Sequence, residues 1–275
     1  MPELPEVETT RRGLDSVITG QTLSQFVVHN PRMRWPVIPE MGSLIIGHKV
    51  QSCDRRGKYL LFKFSHGTQL VHLGMSGSLR RVNPNDTLLK HDHIEWWFND
   101  ARFVLHDPRR FGCVLWHPAS KGPAEENHPL LVKLGIEPFD PEFTGAWLHK
   151  RLAGKKQAIK QALLGGTIVV GVGNIYASEA LFKAGIRPTT AAGKISLKRC
   201  KSLVASIQQT LKQALESGGS TLRDYINATG EPGAYFELHA QVYDKEGKPC
   251  KACGTSIVRI VQGQRATYYC PSCQR

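Results

Sequence analysis

The sequence predicts an α+β protein with an N-terminal antiparallel β-sandwich lobe, a helical lobe of helix-two-turn-helix type and a C-terminal metal-stapled β-hairpin. Three observations predict it. Residues 22–116 read mostly as seven short β-branched and aromatic runs broken by Gly, Asn, Asp and Pro, too closely spaced for the helical crossovers that a parallel sheet needs. From 147 to 217 the apolar spacing becomes helical. Near the end, Cys250, Cys253, Cys270 and Cys273 stand as C-x2-C-x16-C-x2-C. The expected organisation is a sandwich domain over 1–133, a linker over 134–146, a helical domain with a long loop over 147–236 and the hairpin unit over 237–275.

Taken in order, the chain opens with MPELPEVETTRRG. Proline is tolerated in the first turn of a helix, and the carboxylates of Glu3 and Glu6 oppose the positive end of its dipole. Leu4, Val7, Arg11 and Leu14 follow as one buried stripe, so a helix start accounts for the segment without any chemistry. The expected strands are TLSQFVV, KVQSCDR, YLLFKF, TQLVHL, HIEWWF, RFVLH and CVLWH. LGIEPFDPEFTG, with two prolines and no periodicity, reads as a hinge. Three helices are expected, in AWLHKRLAGKKQAIKQALL, NIYASEALFKAG and SLKRCKSLVASIQQTLKQALES, the second capped by Asn174. STLRDYINATGEPGAYFELHA is weakly patterned and reads as a loop.

The composition narrows the partners. With 36 Lys and Arg against 23 Asp and Glu, the formal net charge is +13, which favours a polyanion, foremost nucleic acid. The acidic start is unlike a secretory signal, and the most apolar stretch, LLGGTIVVGVG, is far shorter than the ~20 residues of a membrane span. A cytoplasmic protein without membrane insertion is expected. Cys53, Cys113 and Cys200 are scattered, as reduced thiols are.

The other four cysteines have the spacing of a tetrahedral zinc site with all positions filled, which makes the metal structural. Between them, IVRIVQGQRATYYC forms a hairpin turning at Gln262-Gly263 and exposing Arg259 and Arg265, which suits a DNA-contacting finger. In VVGVGNIYASEALFKAG, Gly171 and Gly173 lead into a helix whose free N–H groups suit a phosphate. Upstream, HKRLAGKKQAIK carries five basic residues, among them Lys155 and Lys156, and no acid. In DPRRFG, Arg109 and Arg110 precede Phe111, and HLGMSGSLR sets Met75 between glycines. Each of these apolar residues taken singly reads first as core, yet on such glycine-flanked tips they also suit wedges that fill the gap left by an extruded nucleotide, while an arginine meets the orphaned partner base. Lys58 in RRGKYLLF is a further candidate.

Together these residues resemble the bacterial formamidopyrimidine-DNA glycosylase family. PELPEVE, RRGKYLL, HLGMSGSLR, DPRRFG, VVGVGNIYASE, QVYDKEGKPC and the four-cysteine finger with QRATYYC occur in the family's order over essentially the whole chain. The resemblance implies a monomeric enzyme acting on double-stranded DNA that contains oxidised purines or abasic sites, with DNA in a cleft between the lobes and one structural Zn²⁺ per chain. It implies removal of Met1, with Pro2 as nucleophile, Glu3 as general acid and base, Glu6 as a supporting carboxylate, and Lys58 and Arg265 as further members of the catalytic site. Met75, Arg109 and Phe111 match the void-filling trio. His93, Lys155, Asn174 and Arg265 match DNA-binding positions, and the loop near 220–237 matches the one that closes over the flipped base. Two departures stand out: Leu164-Gly165-Gly166-Thr167 ends a helix where the family commonly has an Asp or Asn, and GEPGAYFELHAQVY is one residue longer than the commonest form.

Three rival readings meet contrary residues. The LPE start and the Met75, Arg109, Phe111 set disfavour an endonuclease VIII type enzyme for oxidised pyrimidines. Intact Pro2, Glu3 and Lys58 disfavour a non-catalytic DNA-binding protein, and the finger and net charge disfavour an N-terminal-proline tautomerase.

Overall fold

A computed structural model describes residues 2–99, 101–220 and 233–275. The chain divides into two compact units, Met1–Val132 with Ser217–Ala234, and Lys133–Glu216 with Tyr235–Arg275.

In the first unit the elements run α1 (Leu4–Ile18), β1 (Gln25–Val28), α2 (Met41–Ile45), β2 (Ser52–Arg56), β3 (Tyr59–Phe64), β4 (Gly67–His72), β5 (Ser78–Val82), β6 (Asp92–Phe98), β7 (Ala101–His106), β8 (Cys113–Pro118) and α3 (Ala124–Asn127). Two four-stranded antiparallel sheets, ordered β1-β6-β7-β5 and β2-β3-β4-β8, share one core. Phe26, Trp96 and Phe103 from one sheet meet Leu60, Phe62 and Val71 from the other, and α1 adds Val7, Leu14 and Ile18. The buried Trp96 Nε1 donates to Gln69 Oε1 at 2.8 Å, a polar pair satisfied inside the core. All seven expected strands form, and β5 is an eighth among the described residues. Its sequence SLRRV offers the core only Leu79 and pairs along one side with β7, so alternation is too weak to reveal it.

The second unit contains α4 (Gly145–Leu152), α5 (Ile159–Leu164), α6 (Asn174–Lys183), α7 (Leu197–Glu216), α8 (Tyr235–His239) and the hairpin of β9 (Val258–Gln262) with β10 (Arg265–Tyr269). Leu148, Leu163, Tyr176, Leu181, Leu203 and Ile207 form its helical core. The single helix expected over 146–164 is two, because Gly154 takes the left-handed conformation at φ +72° and the Ile159 N–H bonds to Thr190 O outside the helix. Asn174 is not the cap of α6: the cap is Gly173, and the Asn174 side chain is engaged elsewhere. The proline-rich stretch from 134 is hydrogen-bonded into this unit, Gly135 to Gly166 and Ile136 to Ile168. A Cβ on Gly135 would lie 2.2 Å from Ile168 O, so only glycine permits that approach.

Among the described residues, no helix is long and apolar enough to cross a membrane.

Candidate active site and metal centre

The head of α1 is a helix start, as the pattern predicts, but a buried one. Glu3 is the N-cap in extended conformation and forms a capping box with Glu6, whose Oε2 accepts the Glu3 N–H at 2.8 Å. Exposed caps need no shielding from water, yet Pro2 is buried and Glu3 and Glu6 are 1% and 2% exposed. Glu6 turns its other oxygen to Ser220, accepting the N–H at 2.7 Å and the hydroxyl at 3.1 Å. Ser220 in turn bridges to Ala234, and Gly233 lies against Gly219 so closely that a Cβ would come within 2.3 Å of the Gly219 carbonyl. The two roots of the expected capping loop are therefore pinned beside the N-terminal corner. Residues 221–232 of that loop lie outside the described residues.

Lys58 sits between β2 and β3, and its charge is felt by His72 at the end of β4. Burial first, then the cations of Lys58 and Arg34, push the His72 ring down to about 4, so it is neutral near pH 7. The ring uses that neutrality: its Nδ1 accepts the Gly74 N–H at 3.0 Å, organising the turn that carries Met75. Met75 and Phe111 are 42% and 41% exposed, outside the core that Met and Phe usually seek. The Arg109 guanidinium lies over the Phe111 ring, 4.7 Å from its centroid. His93 is different from its neighbours in this set. It is buried, its Nε2 lies 3.0 Å from Asp107 O, and burial lowers its pKa, while the neighbouring rings of His91 and His106 are half-exposed.

In the second unit, Arg265 is exposed at the start of β10, directly after a two-residue turn of Gly263 and Gln264. Both turn residues have positive φ, +52° and +63°, which matches the twist of a tight hairpin. Asn174 donates to Ala266 O at 3.0 Å and to the Tyr243 hydroxyl at 3.3 Å, so the start of α6 and the residue after Arg265 are tied together. Lys155 is half-buried and Lys156 exposed. Sequence reasoning passed over Lys160, which is fully buried with Nζ 3.2 Å from Ala266 O and 2.8 Å from the Thr267 hydroxyl. Its signal was a lysine on the apolar stripe of QAIKQALL. Glu179 was also missed: it is buried and accepts the N–H groups of Gln241, Val242 and Tyr243 at 2.8, 3.0 and 2.8 Å, anchoring the chain that enters the finger.

The four finger cysteines bring their sulfurs within 4.8 Å of one another, with Cys250 to Cys273 at 3.9 Å and Cys253 to Cys270 at 3.4 Å. Tetrahedral Zn–S bonds of about 2.3 Å set sulfurs roughly 3.8 Å apart, so the donor set fits one Zn²⁺. A single buried cluster of Val242, Cys250, Ile257, Tyr268 and Cys270 is the finger's own core. Cys53, Cys113 and Cys200 are free and buried, and burial raises the pKa of each thiol, that of Cys113 to about 12.

Comparison with known proteins agrees along the whole chain. Residues 1–114 match the formamidopyrimidine-DNA glycosylase N-terminal domain, 134–225 the H2TH domain of the same enzymes, and 247–275 a zinc finger found in FPG and IleRS. A formamidopyrimidine-DNA glycosylase of Bordetella pertussis is 64% identical over 275 residues, and one of Paraburkholderia phymatum is 55% identical over 278, each covering both chains in full. Among solved structures, a mutant Lactococcus lactis FPG in complex with Fapy-dG containing DNA superposes with a TM-score of 0.92 at 33% identity, covering all of both chains. The MutM (FPG) protein of Thermus thermophilus gives 0.88 at 38% identity over 99% of this chain and 98% of that one. With full-length relatives at that identity and all three domain models in order, the chain belongs to the formamidopyrimidine-DNA glycosylase family.

Proposed function

We propose that the chain is a bifunctional DNA glycosylase and AP lyase that excises oxidised purines, formamidopyrimidines and 8-oxoguanine, from duplex DNA, with Pro2 as its nucleophile. The observation that carries the reading is the corner at the head of α1, where a buried Pro2 adjoins the buried carboxylates of Glu3 and Glu6 in a chain of a glycosylase family.

Once Met1 is removed, Pro2 presents a secondary α-amine, whose class titrates near about 8 and so keeps a useful neutral fraction at neutral pH. Its lone pair attacks C1′ of the nucleotide, the C1′–base bond breaks, and the bonding electrons leave with the base, which takes a proton. Glu3, adjacent in the chain, carries that proton and later others. The attached amine gives up its N–H proton, the C1′–O4′ bond breaks and O4′ takes a proton, which leaves an iminium that has no N–H left to lose and so keeps its charge. This electron sink acidifies the neighbouring carbon, so a proton is lost and the 3′ phosphate departs, and a second elimination releases the 5′ phosphate. Water then hydrolyses the iminium and restores the amine.

Glu6 supports the corner by holding the Glu3 amide and Ser220 together. Lys58 and Arg265 are the cations that meet developing and phosphate charge, and Asn174, Arg265 and Lys155 bind the DNA backbone. Met75, Arg109 and Phe111 fill the space of the extruded nucleotide. His93 serves the same face from beneath, through its bond to the Asp107 carbonyl. Zn²⁺ on Cys250, Cys253, Cys270 and Cys273 holds the finger's shape and takes no part in the chemistry. The enzyme works as a monomer in the cytoplasm, a reducing compartment that the free thiols of Cys53, Cys113 and Cys200 suit.

Borohydride trapping tests the nucleophile. Lesion DNA should form a covalent adduct with the native protein, and a residue left ahead of Pro2 should abolish it by turning the amine into an amide. Glu3→Gln should lose base removal yet still trap a preformed abasic site, whose aldehyde is already free. Full excision by protein whose Pro2 is verifiably blocked would refute the mechanism.

A further inference from the structure

Asp107 stands at the end of β7, is fully buried, and touches both turns that carry the exposed apolar tips. Its Oδ1 accepts the Ser76 hydroxyl at 3.1 Å, one residue after Met75. Its Oδ2 accepts the Gly112 N–H at 2.8 Å, one residue after Phe111. The backbone of the same residue is equally committed: its N–H donates to His91 O at 3.0 Å, and its carbonyl receives the Arg110 N–H at 3.1 Å and His93 Nε2 at 3.0 Å. Each carboxylate oxygen therefore serves a different turn, which a turn-forming aspartate does not require.

The turns themselves are in backbone contact. A Cβ on Gly74 would lie 2.4 Å from Gly112 N and 2.5 Å from the Phe111 carbonyl carbon, and one on Gly112 would lie 2.6 Å from His72 O. Gly74 and Arg110 both sit at positive φ, +66° and +55°. Two glycines permit the approach, and the β4–β8 ladder, which ends at His72 and Cys113, holds the bases of both turns. The buried carboxylate adds an attachment nearer the tips, beyond the last ladder pair.

We infer that Asp107 is a positioning residue that joins the Met75 and Phe111 turns into one stiff two-pronged wedge. The inference rests on the void-filling role proposed above. A wedge works against stacking and pairing, so a tip free to yield would return the extruded base to the helix; fixing both tips beforehand removes that loss. An abasic site has no base to extrude and makes no such demand. Asp107→Ala removes both acceptors at once and releases both prongs, whereas an asparagine there could still accept from Gly112 and donate to the Ser76 hydroxyl. Ser76→Ala releases the Met75 prong alone.

The test uses the full-length zinc-loaded protein and compares single-turnover excision of an oxidised purine from a paired duplex with strand cleavage at a preformed abasic site. D107A is expected to slow excision by roughly tenfold to a hundredfold while abasic cleavage changes by less than about threefold. Exchange of the Gly112 amide hydrogen should rise by about tenfold or more, since its acceptor is lost. S76A should show the same split to a smaller degree, and Ser76→Thr, which keeps the hydroxyl, should restore excision. Should D107A fail to fold, S76A and S76T decide, and unchanged excision in S76A then overturns the inference by itself. Equal losses on both substrates, or unchanged excision in S76A together with D107A, would overturn the inference. Phe111→Ala is the reference: if it too affects both substrates equally, the void-filling role itself fails, an outcome distinct from a split in F111A that D107A lacks.

Discussion

His72 shows how one side chain links charge, backbone and acidity. Its Nδ1 accepts from Gly74 N–H only while the ring is neutral, and burial with the nearby Lys58 and Arg34 holds it neutral down to about 4, against 6.5 for a free ring. In the unfolded chain the ring therefore binds a proton first, so the unfolded state holds more protons between those values and stability rises with pH. The contribution is fully present above about 6.5 and is lost as the pH falls through about 4, amounting to at most about 3 kcal/mol. Melting curves across that window should show a smaller acid loss in His72→Gln than in the native protein. Burial also lowers His93 and His128, so the difference between the two proteins, not the native curve alone, measures His72. Identical acid slopes would mean that the ring is protonated without cost. The N-terminal corner makes a related point: Glu3 is both a helix cap and the proposed proton carrier, and the two roles need the same buried geometry.

The finger depends on its metal more than α7 depends on any single contact. α7 runs 20 residues with an apolar face of Leu203, Ile207 and Leu211 packed in the helical core, whereas the hairpin has one small cluster and four sulfurs. Four thiolates brought this close repel one another without a cation, so binding energy and folding energy of the finger are the same quantity. Native protein should contain one zinc per chain by metal analysis. Cys250→Ser or Cys273→Ser should lose it together with DNA binding, while the strands of the first unit keep their melting behaviour. An active protein with no bound metal would contradict this. Lys160, Asn174 and Glu179 would still hold parts of the hairpin and its entry against the helices, so local disorder, not global unfolding, is the expected result.

A formal net charge of +13 acts on the molecule as a whole. Each phosphate neutralised by a lysine or arginine releases condensed counterions, so affinity for duplex DNA should fall by about a hundredfold or more between about 50 and about 200 mM salt. Equilibrium titration at several salt concentrations gives the slope, and a flat profile would argue against phosphate neutralisation as the source of affinity. Arg265→Ala should lower that slope by about one contact, roughly 0.9 in the logarithmic plot. A substitution at the buried Arg102, which pairs with Glu95, should leave the slope unchanged.

The sequence by itself determined the class of fold, seven strands, the finger and its four ligands, and the family, because these are written in local spacing: period two, period 3.6, C-x2-C and an ordered set of motifs. The exposed tips were legible only through the ordered motifs, because Met75 and Phe111 taken singly read as core residues. Local spacing could not reveal what long-range partners decide. β5 exists because β7 offers it a ladder, α4 and α5 part because Gly154 turns left-handed and Thr190 takes the next N–H, and Asn174 leaves its cap for Ala266. Burial of Lys160, Glu179 and Asp107 is of the same kind: a charged side chain is normally exposed, and only the surrounding donors and acceptors of distant segments make its burial stable.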